Sequence, residues 1–529
     1  LTKKHFQRLW YPEPGSGGDI PSRAEFGLTK QAFDELLPVE FWQEVVDRVA
    51  VEAPDTLLLA EAFWFMEGYF VRSLGMHRVY NSAFMNMLRD EDNAKYRDLI
   101  RKTLEFEPEI LQRYVNFMNN PDEETAIEQF GNGDKYFGIC AMMTTLPGLP
   151  MLGHGQVEGY HEKYGMEYKK AYWDEHPDSY LFDRHAQQIF PLMHRREIFS
   201  YVENFRLYDF VNEGGVNQNV FAYSNRLGDQ RSLVVYHNCY ADTGGWIQRS
   251  IPTKTTGSES LVTNSLVEGL GIPKGKDLYC VAKNQMDGQY YIFSTDLLHS
   301  QGMYLALHAY QCQVFVDFEF VVDSKERPYS KLFQILKGQG VPDIEQAFLS
   351  MELEPVHVPM REILHPGYLH YLVEIMDGDA SSDQAQSLLD ETTRKVSNLL
   401  DGIGYYQKKP IEKKVRGKLV KNVSAAIRAL VSNPSEIPLV AIPGRKTFKK
   451  AEQFLLDGVD LHPENRIAFI MASHLMALEK PLERIDEWKL QSMIEKTFRA
   501  MEIEHNRTGV LTNGVRLYLS LGDWYQKYA

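Results

Sequence analysis

The chain has 529 residues, of which 44% are hydrophobic, 24% charged and 12% aromatic, and a formal net charge of -15 at pH 7. This length exceeds a single hydrophobic core, so several structural units are expected. The negative charge argues against nucleic acid or an anionic membrane surface as the main partner, whereas a neutral carbohydrate is compatible with it. The numerous tyrosines, phenylalanines and tryptophans offer flat apolar faces on which sugar rings stack.

Cysteine spacing and hydropathy exclude further classes. Cys140, Cys239, Cys280 and Cys312 have neither zinc-site nor disulfide-framework spacing. No apolar run of about 18 residues predicts a membrane span. The sequence begins at Leu1 and not at Met, without the layout of a signal peptide, so its true N-terminus is expected upstream. We expect a cytoplasmic protein with no cofactor and no metal site, and the sequence leaves the oligomeric state open.

The first elements alternate between helix and strand. After a turn-rich segment over residues 1–35, apolar spacing predicts a helix from Ala32 to Val51. The stretch Thr56–Phe63 then reads as a buried strand, apolar on both faces, that ends in Glu61. An acid at the C-terminal tip of such a strand is typical of a catalytic residue in a (β/α)8 barrel, although a solvated strand end is the alternative.

Three further strands follow at a similar rhythm, around 77–84, 114–118 and 147–155. The second of these ends in Asn119–Glu123, which contains Asp122, and the third ends in a Gly-rich turn before Gln156 and Glu158. Strands that alternate with helices predict a parallel sheet covered by helices. We interpret residues 1–212 as the C-terminal half of a (β/α)8 barrel, with four strand-helix units.

The remainder of the chain changes in texture. Short β-branched and aromatic runs separated by turn residues predict an antiparallel β-sandwich over residues 213–325. Residues 326–529 are predicted to be α-helical, with no fixed repeat period and no pattern that identifies a partner.

The strand tips together resemble a known family. Leu57–Phe63, Asn119–Glu123 and Pro150–Gly159 are similar, in this order, to the fifth, seventh and eighth barrel-strand regions of the α-amylase family, glycoside hydrolase family 13. The β-rich region is similar to that family's domain C, so the resemblance covers roughly residues 1 to 325. It implies a retaining hydrolase or transglycosylase that acts on an α-glucan or maltooligosaccharide.

The resemblance also implies roles for residues. Glu61 matches the general acid/base of the family, and Asp122 matches its transition-state-stabilising aspartate. Six other positions are predicted to contact substrate: Phe63, Trp64, Tyr80, Asn120, Gln156 and Glu158.

Two departures from the family pattern qualify these roles. Pro121 stands where the family usually has a histidine, and this proline resembles the maltosyltransferase branch. The family's nucleophilic aspartate follows the fourth barrel strand, and no such strand precedes Ala32. Asp19, in a Gly-rich loop, is the weaker alternative for a displaced nucleophile. We therefore expect an inactive fragment that begins after that strand.

Other readings stay open at this stage. Asp122, Glu123 and Glu124 could form the acidic first turn of a helix. His154 fits a structural role better than a catalytic one, and the aromatic run after Glu61 fits a sugar platform and lid packing equally. The alternative function is a non-catalytic α-glucan-binding or scaffold protein with a degenerate barrel, which Pro121 favours.

Overall fold

The chain folds into two compact units, Leu1–Ile344 and Glu345–Ala529. The computed structural model describes residues 2–62, 67–165, 169–255, 260–377, 382–431 and 463–520. The first unit combines α and β structure and contains a parallel sheet and a curled antiparallel sheet, whereas the described part of the second unit is helical. The finer boundaries at residues 212 and 325 stay a prediction.

Four short strands form the parallel sheet in chain order. They are β1 Leu59–Ala60, β2 Arg78–Tyr80, β3 Tyr114–Phe117 and β4 Leu149–Met151, and each pairs with its neighbour in parallel. The prediction of four parallel strands at these places is confirmed. The predicted burial of the first strand on both faces is wrong, since Leu57 is 56% exposed and Leu59 is 37% exposed. The reason is that β1 pairs only with β2 among the described residues.

Helices precede and connect these strands. The sequence predicted one helix over Ala32–Val51, but the chain breaks it near Pro38 into two, because proline disfavours helical backbone in the residue before it. The helices of the first unit are α1 Lys3–Trp10, α2 Lys30–Leu36, α3 Phe41–Glu52, α4 Ser82–Arg89, α5 Asn93–Phe106, α6 Ala126–Phe130, α7 Asp134–Thr145, α8 Ser179–Arg184, α9 Phe190–Met193, α10 Arg196–Phe199, α11 Leu266–Leu270, α12 Thr295–Gln301 and α13 Tyr329–Leu336. Short 3-10 or π turns occupy Pro21–Phe26, Tyr69–Ser73, Pro108–Arg113 and His185–Ile189.

Helix α7 lies at the centre of the first unit. Its residues from Tyr136 to Thr145 are all buried, which fits a helix that is apolar on every side. Gly138 permits a close approach to the curled sheet, because a Cβ at this position would lie 2.0 Å from a ring carbon of Tyr236. The hydrophobic core therefore continues from the parallel sheet through α7 to the antiparallel strands.

The antiparallel strands form one curled nine-stranded sheet and a separate two-stranded sheet. They are β5 Arg206–Asn212, β6 Gly215–Val216, β7 Val220–Leu227, β8 Gln230–His237, β9 Thr243–Ser250, β10 Thr253–Lys254, β11 Leu261–Val262, β12 Leu278–Asn284, β13 Tyr290–Ser294, β14 Met303–Leu307 and β15 Cys312–Val322. The main order is β13-β12-β15-β8-β7-β5-β9-β14, β6 pairs with β5, and β10 pairs with β11 separately.

The predicted antiparallel character is confirmed, and the strands belong to one curled hydrogen-bonded sheet, whereas the two-sheet sandwich stays a prediction. Strand β15 makes this sheet continuous, because its first residues pair with β8 and the remainder with β12. Asp317, with a φ of 53°, lies where the β12 register shifts, so the long strand bends and carries the hydrogen-bond ladder across.

The second unit has its own hydrophobic core. Its helices are α14 Ile344–Ile363, α15 Pro366–Asp377, α16 Ser382–Tyr406, α17 Lys413–Val431, α18 Pro463–Leu475, α19 Pro481–Glu487, α20 Leu490–Ala500 and α21 His505–Ser520. Inside this core the Tyr368 hydroxyl lies 2.8 Å from Thr392 Oγ1 and 3.0 Å from His474 Nε2. In the described part of the chain, no helix has both the length and the apolar character needed to cross a membrane.

Candidate functional site

The candidate site lies at one edge of the parallel sheet, where all four strands end. Glu61 follows β1 directly, Tyr80 ends β2, and the segment 119–122 follows β3. The turn over residues 152–160 follows β4. Because neighbouring parallel strands end at the same edge, these four segments share one face of the unit.

Tyr80 lies within the electrostatic influence of both predicted carboxylates. Burial raises the pKa of the Tyr80 hydroxyl, and the negative charges of Glu61 and Asp122 raise this pKa further. Glu61 and Asp122 are themselves exposed. The Tyr80 ring packs edge-on against Phe117 of β3, with ring centroids 5.4 Å apart. The two carboxylates are therefore grouped around Tyr80, on the strand between them. Phe63 and Trp64 lie outside the described residues.

A chain of asparagines supports this edge from below. Asn81 caps helix α4 by accepting the backbone N–H of Phe84, and its Nδ2 donates to Asn116 Oδ1 at 2.8 Å. Asn116 Nδ2 in turn donates to the carbonyl of Pro147, just before β4. Because these buried amides satisfy one another, they link three successive strand units. The spacing of these asparagines in the sequence gives no signal for this contact.

Asn120 forms the turn that presents Asp122. Its Oδ1 accepts the backbone N–H groups of Asp122 and Glu123, both at 3.0 Å, and its carbonyl accepts Glu123 N–H at 3.2 Å. Such a side chain acts as a turn former, with Pro121 at the second position. Helix α6 begins only at Ala126, with Thr125 as its N-cap. Asp122 and the two glutamates therefore precede the helix, and the reading of them as its first turn is wrong.

Asn119 and Gly153 pack against each other behind this turn. Asn119 is 5% exposed, and its Oδ1 has no hydrogen-bond partner among the described residues. A Cβ on Gly153 would lie 2.2 Å from that oxygen, so only glycine leaves room for the amide. The sequence analysis missed Asn119, although the Asn119-Asn120 pair at a strand end was a visible signal.

Gln156 is buried and holds the connection after β4. Its Oε1 accepts the backbone N–H of Gly153 at 3.0 Å, and its Nε2 lies 3.3 Å from Met118 Sδ. The carbonyl of Gln156 accepts the Tyr136 hydroxyl at 2.7 Å. These contacts give Gln156 a supporting position, and its predicted contact with substrate stays a prediction.

Tyr136 connects Gln156 to a buried histidine. Its oxygen lies 2.9 Å from His185 Nε2. Since the single Tyr136 proton goes to the Gln156 carbonyl, His185 donates from Nε2. Burial, followed by the positive charge of Arg184, lowers the pKa of His185 to about 4. His185 Nδ1 has no partner among the described residues.

The remaining predicted residues are distributed around the same turn. Glu158 is half-buried, and its carbonyl accepts the backbone N–H of Asp178 at 2.9 Å. Exposed His154 stacks with Tyr164, with centroids 4.8 Å apart. Asp19 pairs with Arg8 at 2.6 Å in the N-terminal segment.

The described residues contain no cluster of three or more His, Cys, Asp or Glu side chains able to hold a metal ion. What the edge does provide is two exposed carboxylates near a tyrosine hydroxyl, with amides beneath them. Such an arrangement suits acid–base work on a neutral polyhydroxyl substrate.

Comparison with known proteins gives partial structural similarity. No family model matches the chain, and no curated protein matches it. An α-amylase from Anoxybacillus is 10% identical with a TM-score of 0.37, and the match covers 54% of this chain and 56% of that one. An α-amylase from Geobacillus thermoleovorans, complexed with acarbose, is 13% identical with a TM-score of 0.36, and the match covers 53% of this chain and 57% of that one. A Nostoc punctiforme debranching enzyme is 14% identical with a TM-score of 0.37, and the match covers 52% of this chain and 55% of that one.

The chain thus spans little more than half the length of these solved structures. Identities and TM-scores at this level do not define a family for it.

Proposed function

We propose that this chain is part of a retaining enzyme of the α-amylase type that acts on α-glucans, either a hydrolase or a transglycosylase. The observation that carries this proposal is the placing of Glu61 and Asp122 at the ends of β1 and β3, on either side of β2 with its Tyr80. Retaining glycoside chemistry uses carboxylates from separate strand ends at one edge, where their roles can differ.

In this mechanism Glu61 is the general acid/base. It protonates the leaving glycosidic oxygen and then removes a proton from the attacking water or sugar hydroxyl. Asp122, fixed by the Asn120 turn, stabilises positive charge that develops on the distorted sugar ring. Tyr80, at the end of β2, offers its hydroxyl to substrate hydroxyls.

The nucleophile is proposed to come from a longer polypeptide. The resemblance places it on a strand before β1, and no residue of this sequence matches it. Exposed apolar side chains on the two outer strands, Leu57 and Leu59 at β1 and Leu149 at β4, support further strands that would pack there. We therefore propose half of a (β/α)8 barrel in residues 1–212, whose second half would close the sheet.

Pro121 supports one finer assignment within this proposal. Its resemblance to the maltosyltransferase branch makes transfer to a sugar acceptor a candidate outcome alongside hydrolysis. Product analysis by mass spectrometry, with maltooligosaccharide and with added acceptor, separates transfer from hydrolysis.

The deciding experiment compares Glu61→Gln with wild type in the longer polypeptide. We expect turnover of maltooligosaccharides to fall by at least 100-fold, since general acid–base catalysis contributes about 10²–10⁴. Glu44→Gln is the matched control, because Glu44 is an exposed carboxylate of helix α3 in the same unit and lies at none of the four strand ends. Activity of Glu61→Gln within a few-fold of wild type contradicts the assignment.

A second candidate function is a non-catalytic α-glucan-binding protein. Pro121 favours it, because proline cannot supply the hydrogen bonds of the histidine usual at this position. Sequence upstream of Leu1 discriminates the two, since an Arg-x-Asp strand end there supports catalysis. Glucan binding without turnover in a polypeptide that contains such a strand supports the binding protein instead.

A further inference from the structure

Two neighbouring aromatic side chains are exposed in the connection that follows β4. Tyr172 is 71% exposed and Trp173 is 57% exposed. Large aromatic side chains usually bury most of their surface, so an adjacent exposed pair points to a ligand more than to the core. The site described above does not use either residue.

The backbone beneath this pair is held by carboxylates. Glu162 accepts the backbone N–H of Tyr172 at 2.8 Å and 3.1 Å, and that of Trp173 at 3.0 Å. Glu175 reciprocates by accepting the backbone N–H groups of His161 and Glu162, both at 2.8 Å. Because charge-assisted hydrogen bonds fix both segments, the aromatic pair is positioned before any ligand arrives.

The same loop is tied to the segment that carries Asp122. Lys163, next to Glu162, donates from Nζ to the carbonyl of Asp122 at 3.0 Å and pairs with Glu124 at 3.4 Å. His161 Nδ1 lies 2.6 Å from Glu128 on helix α6. The segment 161–163 thus connects the aromatic pair on one side with the candidate catalytic turn on the other.

The surroundings favour a neutral ligand. Lys169 and Lys170 precede the pair and Asp174 follows it, all exposed, so charges of both signs border the rings. Such a border does not select a polyanion or a polycation, and it offers hydrogen-bonding groups to hydroxyls. Flat rings with polar neighbours suit the apolar face of a glucosyl unit.

We propose that Tyr172 and Trp173 form an additional glucan-binding platform, on which an α-glucan chain lies as it extends from the Asp122 side of the site. This inference rests on the proposed function, because it takes the same ligand class. The clamp between Glu162 and Glu175 positions the platform, and Lys163 sets its place relative to Asp122.

The test measures binding of maltoheptaose and of amylose to the 529-residue chain by calorimetry and affinity electrophoresis. The double variant Tyr172→Ala/Trp173→Ala is expected to weaken affinity at least tenfold, since each aromatic contact contributes about a factor of several. Tyr201→Ala is the matched control, because Tyr201 is also 57% exposed in the same unit but lies outside this loop. Circular dichroism checks that each variant is folded.

A second variant probes the clamp. Glu162→Gln keeps the shape of the side chain but loses its charge, so we expect an intermediate loss of affinity for maltoheptaose. Equal maltoheptaose affinity in the double variant and in the Tyr201→Ala control overturns the platform, as does absence of glucan binding by wild type.

Failure of the platform is distinguishable from failure of the proposed function. The Glu61→Gln comparison measures turnover, whereas the platform variants measure affinity. Loss of turnover in Glu61→Gln together with unchanged affinity in the double variant overturns the platform alone. Unchanged turnover in Glu61→Gln overturns the catalytic assignment and leaves a binding platform testable by affinity.

Discussion

Replacement of Gly153 by alanine tests the packing behind the Asp122 turn. The added Cβ would lie 2.2 Å from Asn119 Oδ1 and 2.5 Å from its Cγ. Ordinary contacts between such atoms are longer than 3 Å, so either the amide or the connection after β4 must move. Asn119 is almost fully buried and cannot swing freely into solvent.

The expected magnitude follows from two opposing effects. Overpacking of a buried position costs about 1–3 kcal/mol. Gly153 does not have a positive φ, so alanine suits its backbone and returns about 0.4–1 kcal/mol by restricting the unfolded chain. The net expectation is a loss of about 1–2 kcal/mol in local stability, which corresponds to a roughly 5- to 30-fold larger population of the locally opened state.

Hydrogen exchange read by mass spectrometry measures this locally. Peptides that cover Tyr114–Phe117 and Leu149–Met151 should exchange faster in Gly153→Ala. Gly165→Ala in the same connection is the control, since its Cβ would meet only Pro121 O at an ordinary 3.6 Å. If both variants exchange at the wild-type rate, the Asn119 amide does not occupy the space beside Gly153 and the reasoning fails.

Two further predictions concern the network below Gln156. Tyr136→Phe leaves the Gln156 carbonyl and the His185 Nε2–H unpartnered, so we expect a loss of about 2–4 kcal/mol in a urea unfolding series, with exposed Tyr240→Phe unchanged as control. Burial lowers the pKa of His185 in the folded protein to about 4, whereas its pKa in the unfolded chain is about 6.5. The buried neutral ring therefore contributes its full stabilisation above about pH 6.5, and this contribution is lost as the pH falls through about 4. Histidine-selective NMR should show a ring that stays neutral at pH 5.5; a midpoint near 6.5 contradicts its burial.

Local sequence was sufficient for the strands of the parallel sheet. Each is a short apolar run that ends in polar or glycine-rich residues, and this pattern placed Glu61, Tyr80 and Asp122 at strand ends. The pattern failed for the exposure of Leu57 and Leu59, because burial depends on which strands lie beside β1. A hydrophobic run shows which side chains are suited to burial, but their actual burial depends on the element that packs beside the strand.

Contacts between distant segments were beyond sequence reasoning. The pairing of Glu162 with Tyr172 and Trp173, and the bond from Lys163 to Asp122, join residues that no spacing rule connects. The single curled sheet was equally hidden, because it depends on one residue in a left-handed conformation, Asp317, within an ordinary β-branched run. Charged side chains on loops thus decided the geometry around the site, although they resemble surface residues in the sequence.

The Asn120 turn changes the weight of Pro121 between the two functional readings. In the sequence alone, Pro121 favours the non-catalytic reading because it replaces the histidine usual in the family. In the turn, Asn120 Oδ1 accepts the N–H groups of Asp122 and Glu123, and position 121, between Asn120 and Asp122, is the one that needs no donor. Proline fits there because its φ is fixed and it lacks an N–H. Pro121 therefore holds the turn that carries Asp122 rigid, and a catalytic carboxylate needs such a fixed position. The lost histidine hydrogen bonds are thus a weaker argument for the non-catalytic reading than they are in the sequence alone.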